Sequence, residues 1–146
     1  MKTMFRGVLL SFIALRLAAA EGEWLTDLAK AQAQAKAEKK MVLMDFTGSD
    51  WCPPCKALHR NVLTSSEFLN YAKENLVLLA VDFPRSKPQS EAVRTANEEL
   101  AKKFAVDSFP TIILLDAKGE KLSKESGYDG SNTKEFVAKL KKLNVK

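Results

Sequence analysis

The chain has 146 residues, of which 46% are apolar and 28% charged. That is globular composition with room for one domain, and it excludes a disordered, collagen-like or repeat protein. The net charge is +5, but Lys2, Arg6 and Arg16 supply three of those charges from a stretch that holds no Asp or Glu. The rest of the chain is close to neutral, which argues against a nucleic-acid partner. Two cysteines exclude a multi-disulfide scaffold and any site of three or four thiolates.

Lys2 and Arg6 precede the apolar run from Val8 to Leu15, and Ala18-Ala19-Ala20 leads out of it to Glu21. A basic start, a short apolar core and a small-residue exit form the layout of an export signal. Residues 1–20 are therefore predicted to be a signal peptide and 21–146 the folded domain. The apolar run falls short of the roughly 20 residues that a bilayer span needs, so no permanent membrane span is expected. The mature chain is expected to be exported, periplasmic or secreted.

From Glu23 to Lys40 the sequence is rich in Ala and Lys, with Trp24, Leu28, Ala31 and Ala35 at helical spacing and Thr26 or Asp27 placed to cap. Met41 to Phe46 is a short apolar run, the mark of a strand covered on both faces. The Cys-containing turn follows, then helical sequence through Leu58 and Val62, and a further helix capped by Ser65 or Ser66. Leu76 to Asp82 reads as a second buried strand. Pro84 and Pro88 bracket a polar loop. Ser90 caps a helix expected to turn Val93, Ala96, Leu100 and Phe104 to one side. Thr111 to Asp116, a turn at Ala117-Lys118-Gly119-Glu120, and a strand around Leu122 form an edge hairpin. Asn132 and Glu135 make a capping pair for the last helix, which faces Phe136, Leu140 and Leu143 inward. Helices between strands imply parallel pairing, and the hairpin adds an antiparallel edge: an α/β fold with a mixed central sheet flanked by helices.

Trp51-Cys52-Pro53-Pro54-Cys55-Lys56 follows a strand and opens a helix. A thiol at a helix start meets unpaired N–H groups and the positive end of the dipole, which lowers its pKa from about 8.5 and supplies the attacking thiolate. Cys52 holds that place and is expected to be the exposed nucleophile. Cys55, one turn inside, is placed to attack a mixed disulfide on Cys52 and release the substrate. Two other readings exist for the pair. As an inert staple it would close a loop of four residues, contributing only about 2 kcal/mol. As a zinc site it would have His59 as a third ligand and no second Cys pair to complete it. No metal is expected, and His59 is read as a surface or packing residue.

These features resemble the thioredoxin family, and within it the exported branch, from about Trp24 to Leu143. The resemblance rests on Asp45-Phe46, on Trp51 to Lys56, and on Phe109-Pro110-Thr111 ahead of an apolar strand. It implies a thioredoxin-like fold and a thiol–disulfide oxidoreductase of protein disulfides that needs no cofactor. It also implies that Pro110 is cis against the Cys pair, that Trp51 and Phe109 contact substrate, and that Asp45 is the buried acid that deprotonates Cys55. The direction expected is reduction or isomerisation, by a monomer served by a redox partner; a disulfide-forming oxidase and a non-catalytic binding or folding-assistance module are the alternatives. Thr47-Gly48-Ser49-Asp50 places one residue more than usual before Trp51, and the segment from Pro84 to Ser90 is longer than in a minimal thioredoxin. Pro53 stands where cytosolic thioredoxins have Gly, and is expected to remove an N–H donor from the neighbourhood of the Cys52 sulfur.

Overall fold

The computed structural model describes residues 23–144. Residues 1–20, read as the signal peptide, lie outside them. The elements in order are β1 (Trp24–Leu25), α1 (Leu28–Glu38), β2 (Met41–Thr47), α2 (Pro53–Leu58), a π-helical turn (His59–Leu63), α3 (Ser66–Asn75), β3 (Leu76–Asp82), α4 (Glu91–Lys103), β4 (Thr111–Leu115), β5 (Lys121–Ser126) and α5 (Thr133–Leu143). The sheet order is β1-β3-β2-β4-β5, with β1, β3 and β2 parallel and β4 and β5 antiparallel. The mixed sheet expected from the helix–strand alternation is the one observed.

Period-two side-chain alternation splits the core between the two faces of this sheet. Met41 and Leu43 of β2 and Leu76 and Leu78 of β3 pack with Leu58, Phe68, Phe136 and Leu140 beneath α2, α3 and α5. Val42, Met44, Phe46, Val77, Leu79 and Val81 meet Ala31 and Ala35 of α1 on the other face, with Leu100 and Phe104 at its margin. Six consecutive residues of β2, Met41 to Phe46, are buried, as a strand covered on both sides must be.

The caps follow the local chemistry. Asp27 accepts from Lys30 N–H, Ser65 from Phe68 N–H and Ser90 from Val93 N–H, and Asn132 and Glu135 complete a reciprocal capping box.

Three expectations need correction. Trp24 does not ride on the first helix; it pairs with Leu78 as part of β1, and the helix begins only after the Asp27 cap. The helix after the Cys pair passes into a π turn at His59, an insertion that no apolar period announces. Ala96 of α4 is exposed and Asn97 takes the inward place, because its amide donates to the Asp82 carbonyl at the end of β3 at 2.9 Å. A polar side chain is buried there because a backbone acceptor waits for it.

Candidate active site

Alternation along β2 puts Asp45 after Met41 and Leu43 on the face that α2 covers, where an apolar residue would continue the core. On the neighbouring β3, Ala80 and Asp82 continue the same face after Leu76 and Leu78. The register pairs Asp45 with Ala80 and Thr47 with Asp82. At the carboxyl ends of the two parallel strands the covered face therefore turns polar, under the start of α2.

Cys52 is the N-cap of α2, Pro53 and Pro54 are its first two residues, and Cys55 its third. Cys52 and Cys55 are joined by a disulfide with their Cα atoms 5.3 Å apart. The Cys52 sulfur accepts from the Cys55 N–H at 3.4 Å, as a capping side chain does. Each cysteine is only 3% exposed, so the expectation of an exposed Cys52 beside a buried Cys55 is overturned. The helix-cap environment, and not access, distinguishes the two sulfurs. The donor argument changes as well: a cap side chain accepts from the second or third helical N–H, and the second residue is Pro54. The missing donor belongs to Pro54 rather than to Pro53.

Behind the pair lies a cavity of about 380 Å³ lined by Cys55, Asp45, Asp82, Ser49, Lys56, Lys87, His59 and Trp24, among others. Asp45 is 6% exposed, so it is not a solvated strand-end acid. Its Oδ1 has no hydrogen-bond partner. Burial, with the charge of Asp82 adding to it, pushes the Asp45 carboxyl up to about 7. A buried acid poised near neutrality beside a reactive thiol has the properties of a proton acceptor. Asp82 itself accepts from the backbone N–H of Ser49 at 2.9 Å and from its hydroxyl. His59 is exposed at the cavity rim.

Trp51, Phe109 and Phe83 form an aromatic group beside the cysteines, with ring centroids 6.0 Å apart for Trp51–Phe109 and 5.1 Å for Phe83–Phe109. The Phe109–Pro110 peptide is cis and Pro110 is buried, so the isomer implied by the resemblance is the one found. The Pro110 carbonyl accepts from Gly127 N–H at 2.7 Å, which ties this turn to the end of β5. Trp51 Nε1–H donates to the Phe83 carbonyl at 2.8 Å, and the Arg85 guanidinium sits 3.8 Å over its ring. Beneath the ring is Gly48, where an added Cβ would lie 2.4 Å from Trp51 Cε2. Gly48→Ala is accordingly expected to push the indole off Phe83 and to destabilise the domain by about 1 to 3 kcal/mol, measurable as a lower denaturation midpoint with altered Trp fluorescence.

Against families of known proteins, residues 28–144 match the model of the thioredoxin-like domain. The chain belongs to the thioredoxin-like family. A disulfide bond reductase, DsbH of Chlamydia pneumoniae, is 35% identical to this thioredoxin-like chain over 125 residues, 86% of it and 74% of the relative. A solved structure of a DsbH oxidoreductase superposes with a TM-score of 0.77 at 30% identity, covering 98% of this chain and 93% of that one. DsbD of Vibrio cholerae, a thiol:disulfide interchange protein, is 34% identical over 96 residues, 66% of this chain and 14% of the relative. With a Cys-Pro-Pro-Cys disulfide at the start of α2, these relatives make the thioredoxin-like chain a thiol–disulfide oxidoreductase. Among the described residues no helix is long and apolar enough to cross a membrane.

Reading the sequence singled out Asp45, Trp51, Cys52, Cys55, Phe109 and Pro110, and the fold brings all six to one end of the sheet. It missed Asp82, Ser49, Asp50, Phe83, Arg85 and Lys87. For Asp82 a signal was present: counted in twos, Leu76, Leu78, Ala80 and Asp82 share a face as Met41, Leu43 and Asp45 do.

Proposed function

We propose that this chain is exported, loses residues 1–20, and as a monomeric 21–146 domain reduces protein disulfides outside the cytoplasm, using no cofactor and recharged by a dithiol partner. The observation that carries the reading is the Cys52 sulfur capped by the Cys55 N–H, with the unpartnered Asp45 oxygen in the cavity that Cys55 lines. Cys52 thiolate attacks a substrate disulfide, forming a mixed disulfide and expelling one substrate thiolate, which takes a proton from water. Cys55 passes its proton to Asp45 and attacks the Cys52 sulfur, expelling the second substrate thiolate, which takes up a proton as Asp45 gives its own back to water. Two electrons leave the dithiol, the substrate gains two thiols, and the Cys52–Cys55 disulfide remains. Trp51, Phe109 and cis-Pro110 border the sulfurs and form the substrate groove.

Reduction is favoured by the paired prolines. With no N–H at Pro54, the Cys52 thiolate has only the Cys55 N–H as a capping donor, and a less stabilised thiolate shifts the couple toward the disulfide. Pro54→Ala restores the second donor and is expected to lower the Cys52 pKa and raise the reduction potential by about 30 mV, corresponding to about 1.4 kcal/mol for one added charge-assisted bond. Equilibration with glutathione buffers and thiolate absorbance across pH measure both. Insulin reduction followed by turbidity tests the activity itself: precipitation accelerated by the chain and lost in Cys52→Ser is the expected result, and no acceleration overturns the reading. Intact mass of protein from the exported fraction is expected to show a chain beginning at Glu21.

A further inference from the structure

The two departures from a minimal thioredoxin, the additional residue before Trp51 and the long connection after β3, meet in space. The Asp50 carboxylate accepts backbone N–H groups from Arg85 at 3.0 Å, Ser86 at 2.7 Å and Lys87 at 3.0 Å. These bonds hold its carboxyl down at about 2, so it stays a charged anchor across the physiological range. Trp51 donates to the Phe83 carbonyl, and Lys87 Nζ donates to Ser49 Oγ at 3.2 Å. The turn before the cysteines and the loop after β3 are therefore one interlocked unit.

That unit delivers charge to the edge of the active site. The guanidinium of the exposed Arg85 lies over the ring of Trp51, the neighbour of Cys52. Lys56, directly after Cys55, and Lys87 border the cavity beneath the pair. All three cations are exposed, and among the described residues none is in an ion pair. Of the nearby acids, Asp50 is engaged by the three loop N–H groups, Asp82 by Ser49, and Asp45 is buried at the floor of the cavity. Glu98 and Asp107 line a different groove, beyond Phe83. Three cations thus border the Cys pair and its cavity.

We infer that the Asp50-anchored loop is a substrate-selecting lip, and that Arg85, with Lys56 and Lys87, recognises disulfides whose cysteines are flanked by aspartate or glutamate. The inference rests on the oxidoreductase reading above and names its substrate class. A guanidinium already stacked on an indole loses little freedom when it takes a carboxylate in a two-point bond, and like charges next to a substrate cysteine would be repelled.

The test compares three cyclic disulfide peptides that differ only in the residues beside the cysteines: paired Asp, paired Ser or paired Lys. Each is reduced by the full chain, held reduced, at low ionic strength. The Asp peptide is expected to exceed the Lys peptide about tenfold in kcat/KM, with the gap closing in high salt. Arg85→Ala is expected to shrink that ratio about threefold, Arg85→Glu to abolish or invert it, and Arg85→Lys to keep most of it. Lys121→Glu makes the same charge change as Arg85→Glu at the far end of the sheet, opposite Leu115, and is expected to leave the ratio unchanged. A ratio indifferent to Arg85→Glu, or moved equally by Lys121→Glu, overturns the inference. Equal turnover of all three peptides overturns it while leaving the oxidoreductase reading in place, whereas no turnover of any peptide overturns both.

Discussion

Cys52→Ser is expected to abolish disulfide exchange, with a loss on the order of 10³-fold or more, since the remaining thiol, Cys55, stands inside the first turn of α2 and not at its cap. Cys55→Ser is expected to do something different. It still attacks through Cys52 but cannot resolve, so covalent adducts with substrate proteins accumulate and are released by added dithiol. Non-reducing electrophoresis of the two variants incubated with an oxidised substrate separates these outcomes. Because both cysteines are equally covered, the asymmetry comes from the cap: the Cys52 sulfur accepts the Cys55 N–H, whereas in the proposed mechanism Cys55 gives its proton to Asp45. Adducts forming through Cys55 and not Cys52 would reverse the assignment.

Asp45→Asn is expected to stabilise the oxidised protein at alkaline pH and to slow the reaction. The carboxyl is pushed from 3.8 to about 7 by burial and by Asp82, so the native state binds its proton more tightly than the unfolded chain does. The stability of the protonated form is fully present below the unfolded value and is lost as pH rises through about 7. At 1.36 kcal/mol per unit, the displacement from 3.8 to about 7 makes the ionised native state costlier by on the order of 4 kcal/mol. The amide of the variant cannot ionise. Its advantage over the native carboxyl should therefore be absent near pH 4 and grow to a melting temperature about 10 °C higher at pH 9, as calorimetry would show. Turnover should fall by about 10²-fold, and its pH profile should lose the limb near 7. Equal melting temperatures at pH 4 and pH 9 would show that Asp45 stays solvated, and an unchanged profile would remove it from the proton path.

The elements and the chemistry of the Cys pair were determined by the sequence alone, because they depend on neighbours within a few positions. Asn132 and Glu135 make the capping box that three-residue spacing dictates, Pro110 directly before a β-branched run marks a special peptide, and Cys52 ahead of two prolines marks a helix start. Asp45 stood out as the single acid in the apolar run from Met41 to Phe46, at a position the family resemblance marks. Tertiary structure alone decided what depends on partners far along the chain. A strand of two residues such as Trp24–Leu25 has no period to read and exists only because β3 offers an open edge. Asn97 is buried for one carbonyl at the end of β3. Asp50 looks like any loop acid until Arg85, Ser86 and Lys87, 35 to 37 positions later, bring their N–H groups to it. Local propensity acts through the backbone of one turn, whereas these contacts are fixed by how the parallel strands end side by side. For that reason the cysteines were legible from the sequence, and the lip that frames them was not.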